Sequence, residues 1–210
     1  MDRTYSPTNP TSVDERESEA AGALASGDTD TAIALYREML ATGGSSNPRV
    51  RFGLAVCYAR RKAWEDAERE LTRVIEAAPA SAIAFAYRGT VRVEMARVDA
   101  GRVDLDEALR LEPGNGVVRL KRGESLLRLG MLRDAHAEFQ AAARLPAPDD
   151  ATREYSRALL LATRKALGSV TDGVSLSPLL LWERIRTWLG RPRSAARMNL
   201  VDRIEPKEVA

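Results

Sequence analysis

The residues best suited to acid–base, nucleophilic or metal chemistry are scarce in this sequence. It has one histidine, His136, and one cysteine, Cys57. A protein zinc site is built from three or four ligands, mostly His and Cys, and a nucleophilic cysteine needs a base beside it. We therefore expect neither a zinc site nor a Cys/His catalytic pair. His136 is predicted to be an outward-facing surface side chain, and Cys57 a small packed thiol.

Two other patterns that could support catalysis also favour ordinary surface. Gly43-Gly44 is not followed by the Lys-Ser/Thr pair of a phosphate-binding loop. Acidic runs such as Glu65-Asp66 and residues 104–107 are typical of solvated helix faces. We predict that the protein is not an enzyme and that it holds no cofactor and no metal.

Composition and charge indicate a soluble helical protein. The chain is 44% hydrophobic and 30% charged, with a net charge of +2, whereas phosphate binding needs a concentrated positive field. We therefore expect no nucleic-acid partner. A single cysteine excludes an intramolecular disulfide. Residues 1–10 lack the apolar core of a signal peptide, and no apolar stretch of the sequence approaches the length of a membrane span. These features predict a cytoplasmic protein.

The chain repeats itself with a period of 34 residues, the distance from Pro79 to Pro113. The dipeptide Arg88-Gly89 recurs in the same way as Arg122-Gly123. Two antiparallel helices per unit explain the residue types, because small residues allow a close crossing, large apolar residues fill the space beside it, and proline ends the second helix. The small positions are Ala67, Gly101 and Ala135, and the large ones are Leu71, Leu105 and Phe139.

These units resemble the tetratricopeptide repeat. The unit at 48–79 has, in that family's order and spacing, Leu54-Ala55, Tyr58, Ala67, Leu71 and Pro79. The unit at about 116–145 has Arg122-Gly123, Leu126, Gly130, Ala135, Phe139 and Ala142. The resemblance implies an all-α fold, a right-handed superhelical stack of about four helix-turn-helix repeats.

The repeat register divides the chain into segments. Helices are predicted at 14–26, 30–41, 48–61, 64–77, 81–94, 98–111, 115–129, 132–144 and 150–167. They group into repeats at 13–47, 48–81, 82–115 and 116–147. A flexible N-terminal tail is predicted at 1–12, a capping helix at 148–168, and a linker, an amphipathic helix at 178–190 and a polar tail within 169–210.

In this family the first helix of each repeat lines a concave groove that holds a peptide or a partner helix. The resemblance therefore implies a non-catalytic scaffold or adaptor that binds a protein or peptide partner. Each carried-over position could instead pack in the core or face water. These positions are Phe52, Val56, Arg60, Tyr87, Thr90, Glu94, Leu120, Lys121, Glu124 and Arg128.

A receptor for chaperone C-termini is disfavoured. Family members of that kind use a clamp of basic residues and asparagines, and the expected asparagines are replaced by Val56 and Tyr87 or their neighbours. Three cations at groove positions, Arg60, Lys121 and Arg128, could still hold another acidic ligand through charge-assisted hydrogen bonds.

The segment after the repeats predicts a sharply bounded amphipathic helix. Ser177 is a cap, Pro178 suits the first helical position, and Gly190 followed by Pro192 marks the end. This helix could fold back onto the repeats, dock on a partner or a second copy as a homo-oligomer, or lie at a membrane surface, the least favoured destination. The alternative function is accordingly a self-assembling or membrane-surface-associated structural component. The apolar face of this tail helix is Leu181, Trp182, Ile185, Trp188 and Leu189.

Overall fold

The part of the chain that the structure describes is built from helices. The computed structural model describes residues 13–42 and 47–171, and within these ranges it contains nine α-helices and no strand. The all-α repeat fold expected from the sequence is confirmed. The helices are α1 (Val13–Ser26), α2 (Thr29–Ala41), α3 (Pro48–Arg60), α4 (Trp64–Ala77), α5 (Ala82–Glu94), α6 (Val98–Leu111), α7 (Gly116–Arg128), α8 (Leu132–Ala143) and α9 (Asp150–Thr171).

The predicted helix bounds agree closely with the observed ones, except at the end of α9. That helix was expected to end at Gly168 and instead continues to Thr171. The predicted tail at 1–12 and the predicted amphipathic helix at 178–190 lie outside the described residues. Within the described ranges, no helix combines the length and apolar character that a membrane crossing requires.

The first helices of successive pairs begin at side-chain caps that recur with the repeat period. Asn47 Oδ1 accepts from the Arg49 N–H at 2.9 Å, and Asn115 Oδ1 accepts from the N–H groups of Val117 and Val118 at 2.9 and 3.2 Å. Each bond satisfies a backbone donor that has no partner inside the helix. The caps of the set are Asn47 for α3, Ser81 for α5, Asn115 for α7 and Asp149 for α9. Helix α9 therefore starts in the register of a further first helix.

The turns inside the helix pairs also repeat. Gly130 has φ of 80°, and Lys62 and Ala96 adopt the same left-handed conformation with φ of 60° and 61°. In each turn, the backbone N–H of the residue after the left-handed one donates to a carbonyl in the last turn of the preceding helix. The Met131 N–H, for example, donates to the Leu126 carbonyl at 2.9 Å. The same turn thus forms with glycine and without it.

The contacts of the chain divide it into two compact units, Met1–Pro79 and Ala80–Ala210. Unit 1 contains α1–α4. Its core joins side chains of α1, α2, α3 and α4. The ring of Tyr36 lies so close to Gly53 that a Cβ added to Gly53 would be 2.4 Å from it. The buried apolar residues are Ala20, Ala32, Ile33, Tyr36, Met39, Val50, Leu54, Ala55, Cys57, Tyr58, Ala67, Leu71 and Val74.

Unit 2 contains α5–α9, and its helix pairs cross at glycines. A Cβ on Gly89 would lie 2.8 Å from the Gly101 carbonyl oxygen, so Gly101, where the family pattern expects alanine, lets α5 and α6 approach closely. In the next pair, Gly123 lies against the ring of Phe139. A core cluster joins α7, α8 and α9 and includes Leu120, Leu127, Leu132, Phe139, Leu159 and Ala162.

A carboxylate recurs at one position of the second helices, buried in two of them and half-buried in the third, which corrects a prediction from the sequence. Asp104 was assigned to a solvated face, but it is 2% exposed. It accepts two hydrogen bonds from Arg88 at 2.9 Å and one from Arg92 at 2.9 Å. These arginines come from the partner helix of the same pair and satisfy the buried charge. Glu70 and Glu138 occupy the corresponding positions; Glu70 pairs with Arg51 and Arg73, and Glu138 with Arg119 and Arg122.

Candidate partner-binding surface

The first helices of unit 2 place a row of interlocked polar side chains at the predicted binding positions. Lys121 Nζ lies 4.7 Å from the ring centre of Tyr87 and 2.9 Å from Glu124 Oε2. The Tyr155 hydroxyl donates to Glu124 Oε1 at 2.7 Å. Tyr87, Lys121 and Tyr155 stand at the same repeat position on α5, α7 and α9. Both oxygens of Glu124, which is 4% exposed, are therefore engaged.

Burial holds the Tyr155 hydroxyl in its protonated, donating form. It raises the pKa of Tyr155 well above the ordinary value, and the negative charge of Glu124 beside it acts in the same direction. The hydroxyl thus remains a donor to Glu124 at physiological pH. This part of the surface is fixed in one arrangement.

The next turn of the two helices carries a second pair of contacts. Arg128 Nε lies 3.4 Å from Glu94 Oε2, and Ser125 Oγ lies 3.4 Å from Thr90 Oγ1. Together with the Lys121–Glu124 pair, the row balances two positive against two negative side chains. We call these residues the polar row, and they are Tyr87, Thr90, Glu94, Lys121, Glu124, Ser125, Arg128 and Tyr155.

The structure separates the residues predicted to bind a partner into different environments. Leu120 is 3% exposed and packs in the apolar cluster of α7, α8 and α9, so its side chain serves the core. In unit 1, Phe52 and Val56 are half-buried and Arg60 is exposed. Contact of each with a partner stays a prediction. The half-buried candidates in unit 2 are Tyr87, Thr90, Glu94, Lys121 and Arg128.

The three cations considered for an acidic ligand each have a partner within the chain. Arg60 Nη1 donates to the Leu24 carbonyl at 2.6 Å. Lys121 pairs with Glu124, and Arg128 lies beside Glu94. An acidic ligand would have to compete with these contacts.

Beside the polar row, unit 2 has a cavity of about 580 Å³ that opens to solvent. Ile83 and Val117 form part of its wall, and they lie one helical turn before Tyr87 and Lys121 on the same faces of α5 and α7. The remaining wall comes from the loops after α6 and α8. The full lining is Ile83, Glu112, Gly114, Asn115, Gly116, Val117, Pro146, Ala147 and Pro148.

None of these lining residues was predicted from the sequence to contact a partner. Ile83 and Val117 were detectable in principle, since they precede predicted binding positions by one turn. The loop residues carried no signal of their own, because their proximity depends on the packing of successive helix pairs. The cavity is thus the part of the surface that only the structure reveals.

The side chains considered first for chemistry are packed rather than available. His136 Nδ1 lies 2.9 Å from Thr163 Oγ1 and the side chain is half-buried, so His136 packs against α9 instead of facing fully outward as expected. Burial lowers the pKa of His136, with a smaller contribution from Arg164. Cys57 is buried, and burial raises the pKa of its thiol to about 11. Among the described residues, no group of His, Cys, Asp or Glu side chains could hold a metal ion.

Comparison with known proteins points to one family. Residues 23–86 match the model of the tetratricopeptide repeat family, whose members are generally non-catalytic modules that bind protein or peptide partners. A comparison with curated protein sequences gave no match.

Several solved structures match over most of the chain. One is YrrB, described as a TPR protein with an unusual peptide-binding site; it is 19% identical, the match covers 86% of this chain and 88% of that chain, and the TM-score is 0.49. MamA MSR-1 is 18% identical over 84% and 95% of the two chains, with a TM-score of 0.47. MamA AMB-1 is 19% identical over 84% and 88%, with a TM-score of 0.46. The family match over residues 23–86 and the helix pairs that recur in the same register show that the described part of the chain is a stack of helical repeats similar to those of the tetratricopeptide repeat family.

Proposed function

We propose that the protein is a non-catalytic scaffold that holds an extended segment of a partner protein along the face of α5 and α7. The observation that carries this proposal is the open cavity beside the polar row. Its wall residues Ile83 and Val117 continue onto the same helix faces as Tyr87 and Lys121. A ligand seated in the cavity would therefore lie next to the polar row.

The polar row supports binding because its side chains are already ordered. Binding costs free energy when side chains must be immobilised, and here Lys121, Glu124 and Tyr155 are held by one another before any ligand arrives. The exposed edges of such a row can exchange hydrogen bonds with a peptide backbone without rearrangement. Preorganisation of this kind favours recognition by a small surface.

The size of the surface sets the expected strength of binding. Two helix faces and one cavity offer less contact area than a standard protein–protein interface, which places the complex among weak and transient ones. We expect dissociation constants in the micromolar range, on the order of 8 kcal/mol of binding free energy.

The test uses the full chain as bait for a displayed library of random peptides of about ten residues, which extend over about 33 Å. Selected peptides are then titrated by fluorescence anisotropy against wild type and two matched variants. Val117→Ala removes part of the cavity wall, and Val103→Ala makes the same change at a side chain that is 68% exposed on α6.

We expect selected peptides to lose affinity in Val117→Ala and to retain it in Val103→Ala. Loss of two methyl groups of buried contact corresponds to about 1–2 kcal/mol, or roughly five- to thirtyfold in the dissociation constant. A library that yields no binding peptide, or peptides that bind both variants equally well, would contradict the proposal.

A further inference from the structure

The cavity lies between two loops that occupy the same position in successive repeats. Residues 112–115 connect α6 to α7, and residues 146–149 are the corresponding part of the segment 144–149 that connects α8 to α9. Although the positions correspond, the sequences differ: one loop reads Glu-Pro-Gly-Asn and the other Pro-Ala-Pro-Asp. The cavity therefore has an acidic side and a proline-rich side.

The acidic side is formed by Glu112, which the cap residue of α7 holds in place. Asn115 Nδ2 donates to Glu112 Oε2 at 2.6 Å, while Asn115 Oδ1 accepts from the N–H groups of Val117 and Val118. The helix cap thus fixes the carboxylate at the cavity. Among the lining residues of the described chain, Glu112 is the only ionisable one.

The opposite walls are apolar. Ile83 and Val117 contribute branched aliphatic side chains, and Pro146 and Pro148 contribute rings and no backbone N–H. The cavity is open to solvent, and its volume of about 580 Å³ leaves room for one large side chain of a peptide. An apolar side chain gains most from such walls, because its burial removes apolar surface from water.

We propose that this cavity selects partner segments in which a large apolar side chain is flanked by a lysine or arginine, an inference that rests on the proposed function. The apolar side chain enters between Ile83 and Val117, and the neighbouring cation lies against Glu112. The polar row gives no preference for charge of its own, since its cations and carboxylates balance. The sign of the ligand's charge is set by Glu112.

The partner is thus a protein with an exposed basic–apolar sequence, not an acidic C-terminus. The test measures the full chain against an array of peptides of about ten residues with a central leucine. The flanking positions carry Lys, Arg, Gln or Glu, and all other positions are held constant. The array reports the preference for flanking charge while the apolar anchor stays constant.

The decisive variant is Glu112→Lys, which reverses the charge at the cavity. A cation at the end of α6 is compatible with the helix dipole, so folding is preserved. The matched control is Glu76→Lys, which makes the same change at an exposed residue near the end of α4. A circular dichroism spectrum of each variant verifies its helix content.

Wild type and Glu76→Lys should bind Lys- and Arg-flanked peptides about two- to fivefold more tightly than Gln-flanked ones, the usual effect of a partly exposed ion pair. Glu112→Lys should reverse that order and favour the Glu-flanked peptides. Peptides that bind with no dependence on flanking charge, or with an order unchanged in Glu112→Lys, would overturn this inference and leave the proposed function standing. An array in which no peptide binds wild type would remove both.

Discussion

Replacement of Gly123 by alanine tests whether the helix crossing in unit 2 is as tight as the structure indicates. A Cβ at this position would lie 2.4 Å from Cε1 of Phe139, whereas ordinary contacts begin at 3.4 Å. The Phe139 ring is fully buried, at 0% exposure, and cannot swing into solvent. The added methyl group must therefore displace the ring or push α7 and α8 apart.

The expected magnitude follows from two opposing effects. Overpacking of a core costs about 1–3 kcal/mol, and an overlap of about 1 Å against a buried ring belongs at the upper end of that range. Replacing a helical glycine by alanine stabilises the helix by about 1 kcal/mol through helix propensity. We expect a net loss of about 2 kcal/mol, which lowers Tm by roughly 4–8 °C in a chain of this length.

The assay is thermal unfolding followed by circular dichroism, with Gly168→Ala as the control. Gly168 lies in α9 of the same unit, and a Cβ there would meet nothing within 4 Å. This control should raise Tm, because it has the helix-propensity gain without the overlap. The two glycine substitutions should move Tm in opposite directions.

A rescue variant separates the crossing from other causes of instability. At the corresponding positions of unit 1, Ala55 and Leu71 are both fully buried, so the double variant Gly123→Ala/Phe139→Leu recreates a pair that the chain already uses. It should be more stable than Gly123→Ala alone, with a coupling of about 1–2 kcal/mol. If Gly123→Ala is as stabilising as Gly168→Ala, or if Phe139→Leu gives no rescue, the tight crossing is refuted.

Two further predictions concern buried polar groups in unit 2. Asp104→Asn should destabilise the protein by about 3 kcal/mol in urea denaturation, because it removes the carboxylate that Arg88 and Arg92 share. The control Asp99→Asn, at an exposed position, should cost less than about 1 kcal/mol. Equal effects of the two substitutions would argue against the buried ion pairs of Asp104. Burial lowers the pKa of His136, so the folded state disfavours the charged imidazole. The free energy of unfolding should therefore be largest above pH 6.5, about the pKa of histidine in the unfolded chain, and should fall as the pH drops below that value. His136→Gln should flatten that decline in Tm measured from pH 7 to pH 5, and an unchanged decline would contradict the assigned environment.

The sequence predicts the helices well because the signals that bound them are local and periodic. Caps such as Asn47 and Asn115, and closing prolines such as Pro79, act within a few residues of the helix ends that they define. The same boundary residues recur in each repeat, so each repeat gives independent evidence for where the helices begin and end. The exception is the end of α9, where Gly168 is tolerated inside a helix that continues to Thr171.

The features that the sequence does not predict depend on distant partners. Asp104 reads as a surface carboxylate until the chain folds and brings Arg88, sixteen residues earlier, to within 2.9 Å. His136 reads as exposed until α9 packs over it and presents Thr163. The cavity is a further case, because Glu112 and Pro146 become neighbours only when successive helix pairs stack. Burial in a repeat protein is a property of neighbouring units as well as of the residue itself.

The most direct test of the central claim is to map the bound peptide on the isotope-labelled full chain by backbone amide chemical shifts. The tightest peptide from the library serves as the ligand. We predict that the largest shifts fall at Ile83, Tyr87, Val117 and Lys121 and in the loop at 146–148. Shifts concentrated instead in α4, α6 and α8, or in residues 172–210, would contradict the account and assign binding to another part of the chain.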